Sequence, residues 1–294
     1  MNRQTQIARA ERFRALHDRR EVLLLPNAWD AGSARMLGDL GFGAVATTSG
    51  GVAWSLGYAD GEHTPLGEVL AAMRRIVRAS ELPVSVDFEG GYGRTPEDVT
   101  ANVRELIDTG IVGINLEDGI AHVSLREVDD ARQRIAAARE AARSSGVPLV
   151  INARVDVWMT GSEASEAERI EEAVRRARAY LAAGADCIYP IGLTDRDTIA
   201  TLVSALDAPI NVGTFPGLPD LAELRRIGVA RVTTATLLAS AALSAARDAA
   251  MTMRDSGRFD TLAASFTYFD AQRLFGHWAD RQGTGHTSRL PADR

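Results

Sequence analysis

Short apolar runs alternate with amphipathic stretches along most of this chain, and this alternation limits its fold more than any other feature. Eight runs have the length and composition of buried β-strands. They cover residues 22–25, 44–47, 84–88, 113–116, 149–152, 187–190, 209–212 and 231–234. Between them, apolar residues recur three and four positions apart, as at Val69, Met73, Ile76 and Val77, which is typical of helices with one buried face.

Strands that alternate with helices require parallel pairing and right-handed crossovers. Eight such units predict an α/β fold of the closed (β/α)8 TIM-type barrel, with an open doubly wound sheet as the alternative. Two further helical segments, residues 237–254 and 261–275, follow the eighth run. They are surplus to the barrel and rich in Ala, Leu and Phe, so we expect them to pack on a neighbouring subunit or to cover an end of the barrel.

The length of 294 residues and the 46% hydrophobic content suit one large core. We therefore predict a single domain over residues 1–276 that includes the C-terminal helices, followed by a polar, poorly ordered tail over residues 277–294. The net charge of −6 is spread over both halves and no block of Lys or Arg stands out, so nucleic acid is not an expected partner.

The N-terminus is polar and charged, and no apolar run approaches the length of a membrane span. The chain has one cysteine, Cys187, which excludes an intramolecular disulfide and fits a reducing compartment. We therefore expect a cytoplasmic protein without a membrane partner.

Acidic residues stand at or just beyond the predicted strand ends. Asp87 and Glu89 close the third run, Glu117 follows the fourth, and Asp60 lies in the loop Ser-Leu-Gly-Tyr-Ala-Asp. Residues two apart in a strand face the same side, and barrel chemistry is found where the strands end. Each carboxylate alone is also compatible with capping or solvation. Together the four predict a divalent-metal pocket, whose oxygen ligands favour Mg²⁺ or Mn²⁺ over zinc.

The second run ends in Thr-Thr-Ser-Gly-Gly, where Ser49, Gly50 and Gly51 offer a hydroxyl and backbone N–H groups. Such a segment suits a carboxylate or a phosphate, although an ordinary tight loop has the same composition. The seventh run is followed by a similar pair of polar groups, because Asn211 and Thr214 place an amide and a hydroxyl at the rim.

Arg154 follows the fifth run in Asn-Ala-Arg-Val-Asp. Its guanidinium is a permanently charged fork that suits a substrate carboxylate or the charge that develops on an enolate oxygen. The alternative is a structural ion pair with Glu117 or Asp156, and both roles are compatible with each other.

The chain resembles the isocitrate lyase and phosphoenolpyruvate mutase superfamily over residues 22–275. The resemblance rests on PNAWDAGSARMLGDLGFGAVATTSGG, SLGYAD, SVDFEGGYG, GINLEDG and INARVD, in this order. It implies a Mg²⁺-dependent barrel whose last helices are exchanged between subunits, usually in a tetramer built as a dimer of dimers. It also implies cleavage or formation of a C–C or P–C bond beside a 2-oxo acid, through an enolate held on the metal.

The resemblance also implies a role for each residue of the predicted pocket. Asp87 is the direct metal ligand, Glu89 and Glu117 bind through water, and Asp60 lies beside the metal-bound waters. Ser49, Gly50 and Gly51 hold the substrate carboxylate, and Arg154 contacts the carboxylate or the enolate oxygen.

The chain departs from these relatives in the loop that follows Glu117 and Asp118. The stretch Gly-Ile-Ala-His-Val-Ser-Leu-Arg-Glu-Val has neither the Cys that the lyases use as an acid nor the Lys-Thr-Asn string of the mutases. His122 and Ser124 are its candidate proton donors, with an exposed loop histidine as the alternative for His122. Ile191 stands where lyases tend to have a Glu that binds a larger tricarboxylate.

These observations predict a Mg²⁺-dependent lyase or decarboxylase that cleaves a C–C bond of a small 2-oxo or 2-hydroxy acid through a metal-stabilised enolate. The predicted catalytic residues are Arg154, Asp60 and His122, and Asn211 joins the substrate-binding residues. The alternatives are a C–P bond hydrolase or mutase of the same superfamily and a non-catalytic protein that binds 2-oxo acids.

Overall fold

Parallel strands form the centre of the fold in the computed structural model, which describes residues 1–121, 123–161, 163–262 and 265–281, with side chains up to residue 276. The strands are β1 (Leu23–Leu25), β2 (Asn27–Ala28), β3 (Val45–Thr47), β4 (Val84–Asp87), β5 (Gly113–Glu117), β6 (Gly119–Ile120), β7 (Ser124–Leu125), β8 (Val150–Val155), β9 (Cys187–Pro190), β10 (Asn211–Gly213) and β11 (Arg231–Thr233).

The helices are α1 (Arg3–Ala15), α2 (Ala31–Asp39), α3 (Ser49–Leu56), α4 (Leu66–Ala79), α5 (Pro96–Ile107), α6 (Val128–Ser145), α7 (Glu166–Ala182), α8 (Arg196–Ala205), α9 (Leu221–Ile227), α10 (Leu237–Ser256) and α11 (Tyr268–Arg281). A 3₁₀ turn spans Asp260–Leu262. Within the described ranges, no helix combines the length and the apolar character that crossing a membrane requires.

The strands close into a barrel. Six of them pair in the order β2-β3-β4-β5-β8-β9, and three more pair in the order β1-β11-β10. A parallel bridge between Ile188 and Ile210 joins β9 to the start of β10. On the other side, β1 and β2 are one chain segment interrupted at Pro26, which has no N–H to donate to a ladder. The ring has eight strand positions, so the predicted (β/α)8 barrel is confirmed and the open sheet is excluded.

The helical pattern in the sequence corresponds to helices on the outside of this barrel. In α4, Val69, Met73, Ile76 and Val77 are all buried, as their spacing predicts. Local signals also set where the helices begin. For example, Thr95 and Asp98 form a reciprocal capping box at the start of α5.

Helix α1 was not predicted, because eight of its thirteen residues are polar or charged and its apolar residues do not form a clear stripe. It lies where the strands begin. The ring of Phe13 is fully buried, and a Cβ on Gly113 at the start of β5 would come within 2.7 Å of it. Gln6 Nε2 donates hydrogen bonds to the carbonyl oxygens of Ile107 and Ile111, each at 2.8 Å. A few long-range contacts, rather than an apolar stripe, therefore attach this helix.

Contacts divide the chain into two compact units, Met1–Ser240 and Ala241–Arg294. The first unit contains the barrel. The second contains most of α10, the 3₁₀ turn and α11, which begins at Tyr268 rather than at the predicted position 261. The backbone of residues 277–281 is helical, and residues 282–294 of the predicted tail lie outside the described residues. The single domain over residues 1–276 stays a prediction.

Candidate active site

A cavity of about 270 Å³ lies where the barrel strands end. This volume suits a small organic acid better than a large cofactor. Four residues of the predicted site line it, namely Ser49, Asp60, Asp87 and Arg154. The other lining residues are Asn27, Thr48, Trp54, Asn115, Met159, Tyr189, Ile191, Phe215, Thr233, Ala235 and Thr236.

Asp87 is held against the start of α3. Its Oδ2 accepts hydrogen bonds from Ser49 Oγ at 3.0 Å and from the Ser49 backbone N–H at 3.3 Å. The backbone N–H of Asp87 donates to Thr47 Oγ1 at 3.1 Å. Because Asp87 ends β4 and Ser49 begins α3, these contacts join two neighbouring barrel units at the cavity wall.

Gly50 and Gly51 are in the first turn of α3, so the predicted glycine-rich loop is a helix start. A Cβ on Gly51 would lie 2.6 Å from Thr48 Cγ2, and a Cβ on Gly50 would lie 3.2 Å from Asp60 Oδ2. A side chain would clash at Gly51 and would be tight at Gly50, so both glycines let α3 pack closely against its protein neighbours. The first N–H groups of a helix have no partner within it, which makes the turn a candidate binding surface for an anion, although the Ser49 N–H already donates to Asp87.

Glu89 is buried just beyond β4, with a left-handed backbone at φ 48°. Its two carboxylate oxygens accept hydrogen bonds from the Tyr92 hydroxyl and from the Glu62 N–H, each at 2.5 Å. Burial raises the pKa of Glu89 to about 7, and repulsion from Asp60 and Asp87 adds to the rise, whereas the hydrogen bonds oppose it.

Arg154 forms the predicted ion pairs with both of its acidic neighbours. Its Nε and Nη2 donate to the two Asp156 oxygens at 2.9 and 2.5 Å, and Nη2 also contacts Glu117 Oε2. Burial raises the pKa of Glu117, and the Asp156, Asp87 and Glu89 charges add to the rise against the attraction of Arg154. Arg154 also lines the cavity, so its structural ion pairs are confirmed and its role toward a substrate stays a prediction.

The four predicted acidic residues are therefore linked through Glu89, which is within electrostatic reach of the other three. Asp60 and Asp87 act on Glu89, and Asp87 and Glu89 act on Glu117. Among the described residues, no three His, Cys, Asp or Glu side chains are close enough to hold a metal by themselves. The arrangement fits a cation with one carboxylate in direct contact and the others at longer range, as Mg²⁺ often binds when it keeps several waters.

Asp118 does not line the cavity but holds Asp156, the partner of the lining residue Arg154, a role that its position next to Glu117 in the sequence did not predict. Its Oδ1 accepts the Asp156 backbone N–H at 2.8 Å, and its Oδ2 accepts the Tyr180 hydroxyl at 2.6 Å and Arg176 Nη1 at 3.1 Å. Burial raises the pKa of Asp118. Asp118 thereby fixes the backbone of Asp156, which in turn orients Arg154.

Gly50, Gly51, Glu89 and Glu117 are close to lining residues but do not line the cavity themselves, and Ser124 and Asn211 do not line it either. His122 lies outside the described residues. Ser124 is exposed on the hairpin that β6 and β7 form, and it does not line the cavity. Asn211 is fully buried inside the barrel, where its amide and Thr233 Oγ1 lie 3.4 Å apart. Their catalytic or binding roles stay predictions.

Residues within the strands also belong to the site, although their positions in the sequence did not predict this. Asn115 Nδ2 lies 3.5 Å from Asp87 Oδ1, and Asn115 Oδ1 accepts the Asn152 amide at 2.8 Å. Tyr189 was assigned to an apolar run but lines the cavity. Arg231, also assigned to a run, is a fully buried cation whose Nη2 lies 3.4 Å from Asn115 Oδ1.

Comparisons with known proteins show the family of this chain. Residues 13–254 match the family described as phosphoenolpyruvate phosphomutase. Over 279 residues the chain is 30% identical to an oxaloacetate decarboxylase of Chromohalobacter salexigens, covering 91% of this chain and 93% of that protein. It is 31% identical to a 2-methylisocitrate lyase of Escherichia coli, covering 70% and 71%. A solved oxaloacetate acetylhydrolase with bound oxalate has a TM-score of 0.83 at 25% identity, covering 95% and 99%.

Proposed function

Because the chain belongs to the phosphoenolpyruvate phosphomutase family of the isocitrate lyase superfamily, we propose that it is a Mg²⁺-dependent lyase or decarboxylase. Its substrate would be a small 2-oxo or 2-hydroxy acid whose C–C bond is cleaved to give an enolate. The family and the carbon–carbon lyase class agree with the names of its relatives. One observation carries the proposal: a single cavity is lined by Asp87, the start of α3 and Arg154.

The start of α3 is the proposed site for the substrate carboxylate. Ser49, Gly50 and Gly51 form its first turn, where a helix leaves its backbone N–H groups without an intrahelical partner, and Ser49 lines the cavity. The positive end of the helix dipole favours a negative charge at this point. Binding at α3 orients the acid with its C2 oxygen toward Asp87 and Arg154.

Asp87 is the proposed direct ligand of Mg²⁺, with Glu89, Glu117 and Asp60 as outer acidic groups. The presence of Asp60 and Asp87 in one cavity, with Glu89 and Glu117 close enough for their pKa values to be raised by the neighbouring charges, supports a cation there. When bound, Mg²⁺ supplies a Lewis acid that polarises the C2 oxygen. Mn²⁺ has the same ligand preferences and is the expected substitute.

Arg154 is the proposed partner of the charge that develops on the enolate oxygen. When the C–C bond breaks, its electron pair stays on the fragment that becomes the enolate and the other fragment leaves as CO₂ or as a carbonyl compound; a preoriented guanidinium stabilises the enolate charge without moving. Asp156 and Glu117 hold the guanidinium in place, and Asp118 holds Asp156. These successive hydrogen bonds hold the Arg154 guanidinium in a fixed position.

The C–P hydrolase or mutase remains the second candidate, because the matching family is named for a phosphomutase. The loop over residues 119–128 lacks the Lys-Thr-Asn string of the mutases, which favours C–C cleavage. A non-catalytic 2-oxo acid binding protein is the third. Proton NMR of a panel of 2-oxo acids in D₂O with Mg²⁺ separates them, since C–C cleavage and deuterium exchange at C3 require turnover. Binding of the acids without either signal would exclude the enzyme.

The second unit suggests self-association, and we propose a homotetramer built as a dimer of dimers. Large apolar side chains are exposed on it, including Phe266, Tyr268 and Phe269. Exposed apolar patches of this kind mark interaction surfaces. We also propose that the protein is cytoplasmic.

A further inference from the structure

Tyr189 faces the proposed carboxylate site across the barrel. In the ring of eight strand positions, β3 leads into α3 and β9 carries Tyr189, and four positions separate these two strands in either direction. The register partner of Tyr189 on β8 is Arg154, and both side chains line the cavity. An acid whose carboxylate binds at α3 therefore extends past Asp87 and Arg154 toward Tyr189.

The hydroxyl of Tyr189 is a buried donor without an acceptor. The residue is 3% exposed, and its Oη donates no hydrogen bond within the described part of the chain. The neighbouring Thr233 hydroxyl interacts with Asn211 and also with the Tyr189 phenol, whose pKa it lowers against the effect of burial, so Thr233 acts toward Tyr189 as a donor and leaves the phenol proton without an acceptor. Burial raises the pKa of Tyr189 to about 12, so the phenol keeps its proton at neutral pH. An unsatisfied buried donor is costly and uncommon in folded proteins, which calls for a partner.

Gly213, in the strand next to Tyr189, leaves space for the Tyr189 hydroxyl. A Cβ on Gly213, in the neighbouring strand β10, would lie 2.6 Å from Tyr189 Oη and 2.6 Å from the Phe215 ring. Such a distance is too short for any side chain, so glycine is needed where the phenol points. The position of the hydroxyl is therefore set by the barrel wall and not by chance rotation.

The rest of this wall is apolar. Met159, Ile191 and Phe215 line the cavity beyond the ends of β8, β9 and β10. Arg154 is the one cation among the lining residues, and it already pairs with two carboxylates. A second carboxylate at the far end of a substrate would find no unpaired cation among the described residues that line this wall, since the buried Arg231 on β11 influences Tyr189 but does not line the cavity. An uncharged oxygen would find a donor.

We infer that Tyr189 donates a hydrogen bond to an uncharged oxygen at the end of the substrate remote from its carboxylate. Tyr189 is thus a substrate-binding and specificity-determining residue that selects 2-oxo acids with a terminal hydroxyl or carbonyl over those with an alkyl end. This inference rests on the proposed function, because it takes the carboxylate site at α3 as its starting point.

The test compares two ligands of nearly equal size, hydroxypyruvate and 2-oxobutanoate, which differ by a terminal hydroxyl in place of a methyl group. Calorimetry with Mg²⁺ measures both ligands and oxalate, which has no far end, on the wild type and Tyr189→Phe. The wild type should prefer hydroxypyruvate, and the variant should lose about fivefold to a hundredfold of that preference, as expected for an unpaired buried polar group. Oxalate affinity should stay within about twofold, a difference well under 1 kcal/mol.

Tyr58→Phe is the matched control, because the Tyr58 hydroxyl donates to Glu68 at 2.8 Å on the surface. It should leave all three affinities unchanged. Gly213→Ala should reproduce the loss by displacing the phenol. If oxalate binds but the preference is the same in the wild type and Tyr189→Phe, the inference is wrong and the proposed function stands. If none of the ligands binds the wild type with Mg²⁺, the proposed function fails and the inference fails with it.

Discussion

Replacing Arg154 tests the proposed pocket most directly. Oxalate is a planar mimic of the pyruvate enolate, and we expect Mg²⁺-dependent oxalate binding in the wild type. Arg154→Ala removes a charged hydrogen bond to the ligand, which costs about 1.5–3 kcal/mol, so the oxalate Kd should rise roughly tenfold to a hundredfold. Arg154→Lys keeps the charge but loses the two-point contact with Asp156, so its Kd should fall between the two.

The same change has a structural cost that the assay must separate from binding. Arg154→Ala leaves Asp156, which is 0% exposed, and Glu117 without their cation, and breaking a buried pair costs about 3–5 kcal/mol of stability. Arg139→Ala is the control, because Arg139 also pairs with a carboxylate, Asp186, but lies where the strands begin. It should lower the denaturation midpoint and leave oxalate binding intact. Equal oxalate Kd values in the wild type and Arg154→Ala would refute the proposed role.

Three other predictions address the metal, the pH dependence and the assembly. Asp87→Ala should abolish Mg²⁺ binding measured by calorimetry while circular dichroism stays native, whereas Glu89→Gln should weaken binding less; undiminished Mg²⁺ affinity in folded Asp87→Ala would overturn the assignment. Burial lowers the pKa of His17 from 6.5 to about 4, so the unfolded chain binds this proton more readily and stability should fall by up to about 3 kcal/mol as the pH drops from 6.5 to 4. Urea titrations should show this loss reduced in His17→Gln, and an identical pH profile in both proteins would contradict it. Sedimentation should show a tetramer at micromolar concentration that Phe269→Ser weakens, and a compact wild-type monomer would exclude the assembly.

The order of barrel units could be predicted because periodicity survives in a single sequence. Buried parallel strands read as short apolar runs, and helices on the outside of a barrel keep one apolar face. The strand limits were less accurate where polar residues point into the barrel. The fifth strand continues from Asn152 to Val155, so Arg154 lies within β8 rather than after it. Because Arg154 is charged, the apolar pattern ended at Asn152 and the rest of the strand was not predicted.

The amino-acid sequence alone determined the barrel fold, the acids at the strand ends and the glycine pair at the start of α3, because each depends on neighbours in the chain. The tertiary structure decided which groups share a cavity and which partners each one has. Tyr189 looked like a strand residue, and Asp118 looked like a second strand-end acid. Only the closure of the ring places the Tyr189 hydroxyl opposite α3 and Asp118 beneath Asp156, since contacts between residues far apart in the chain leave no local pattern in its sequence.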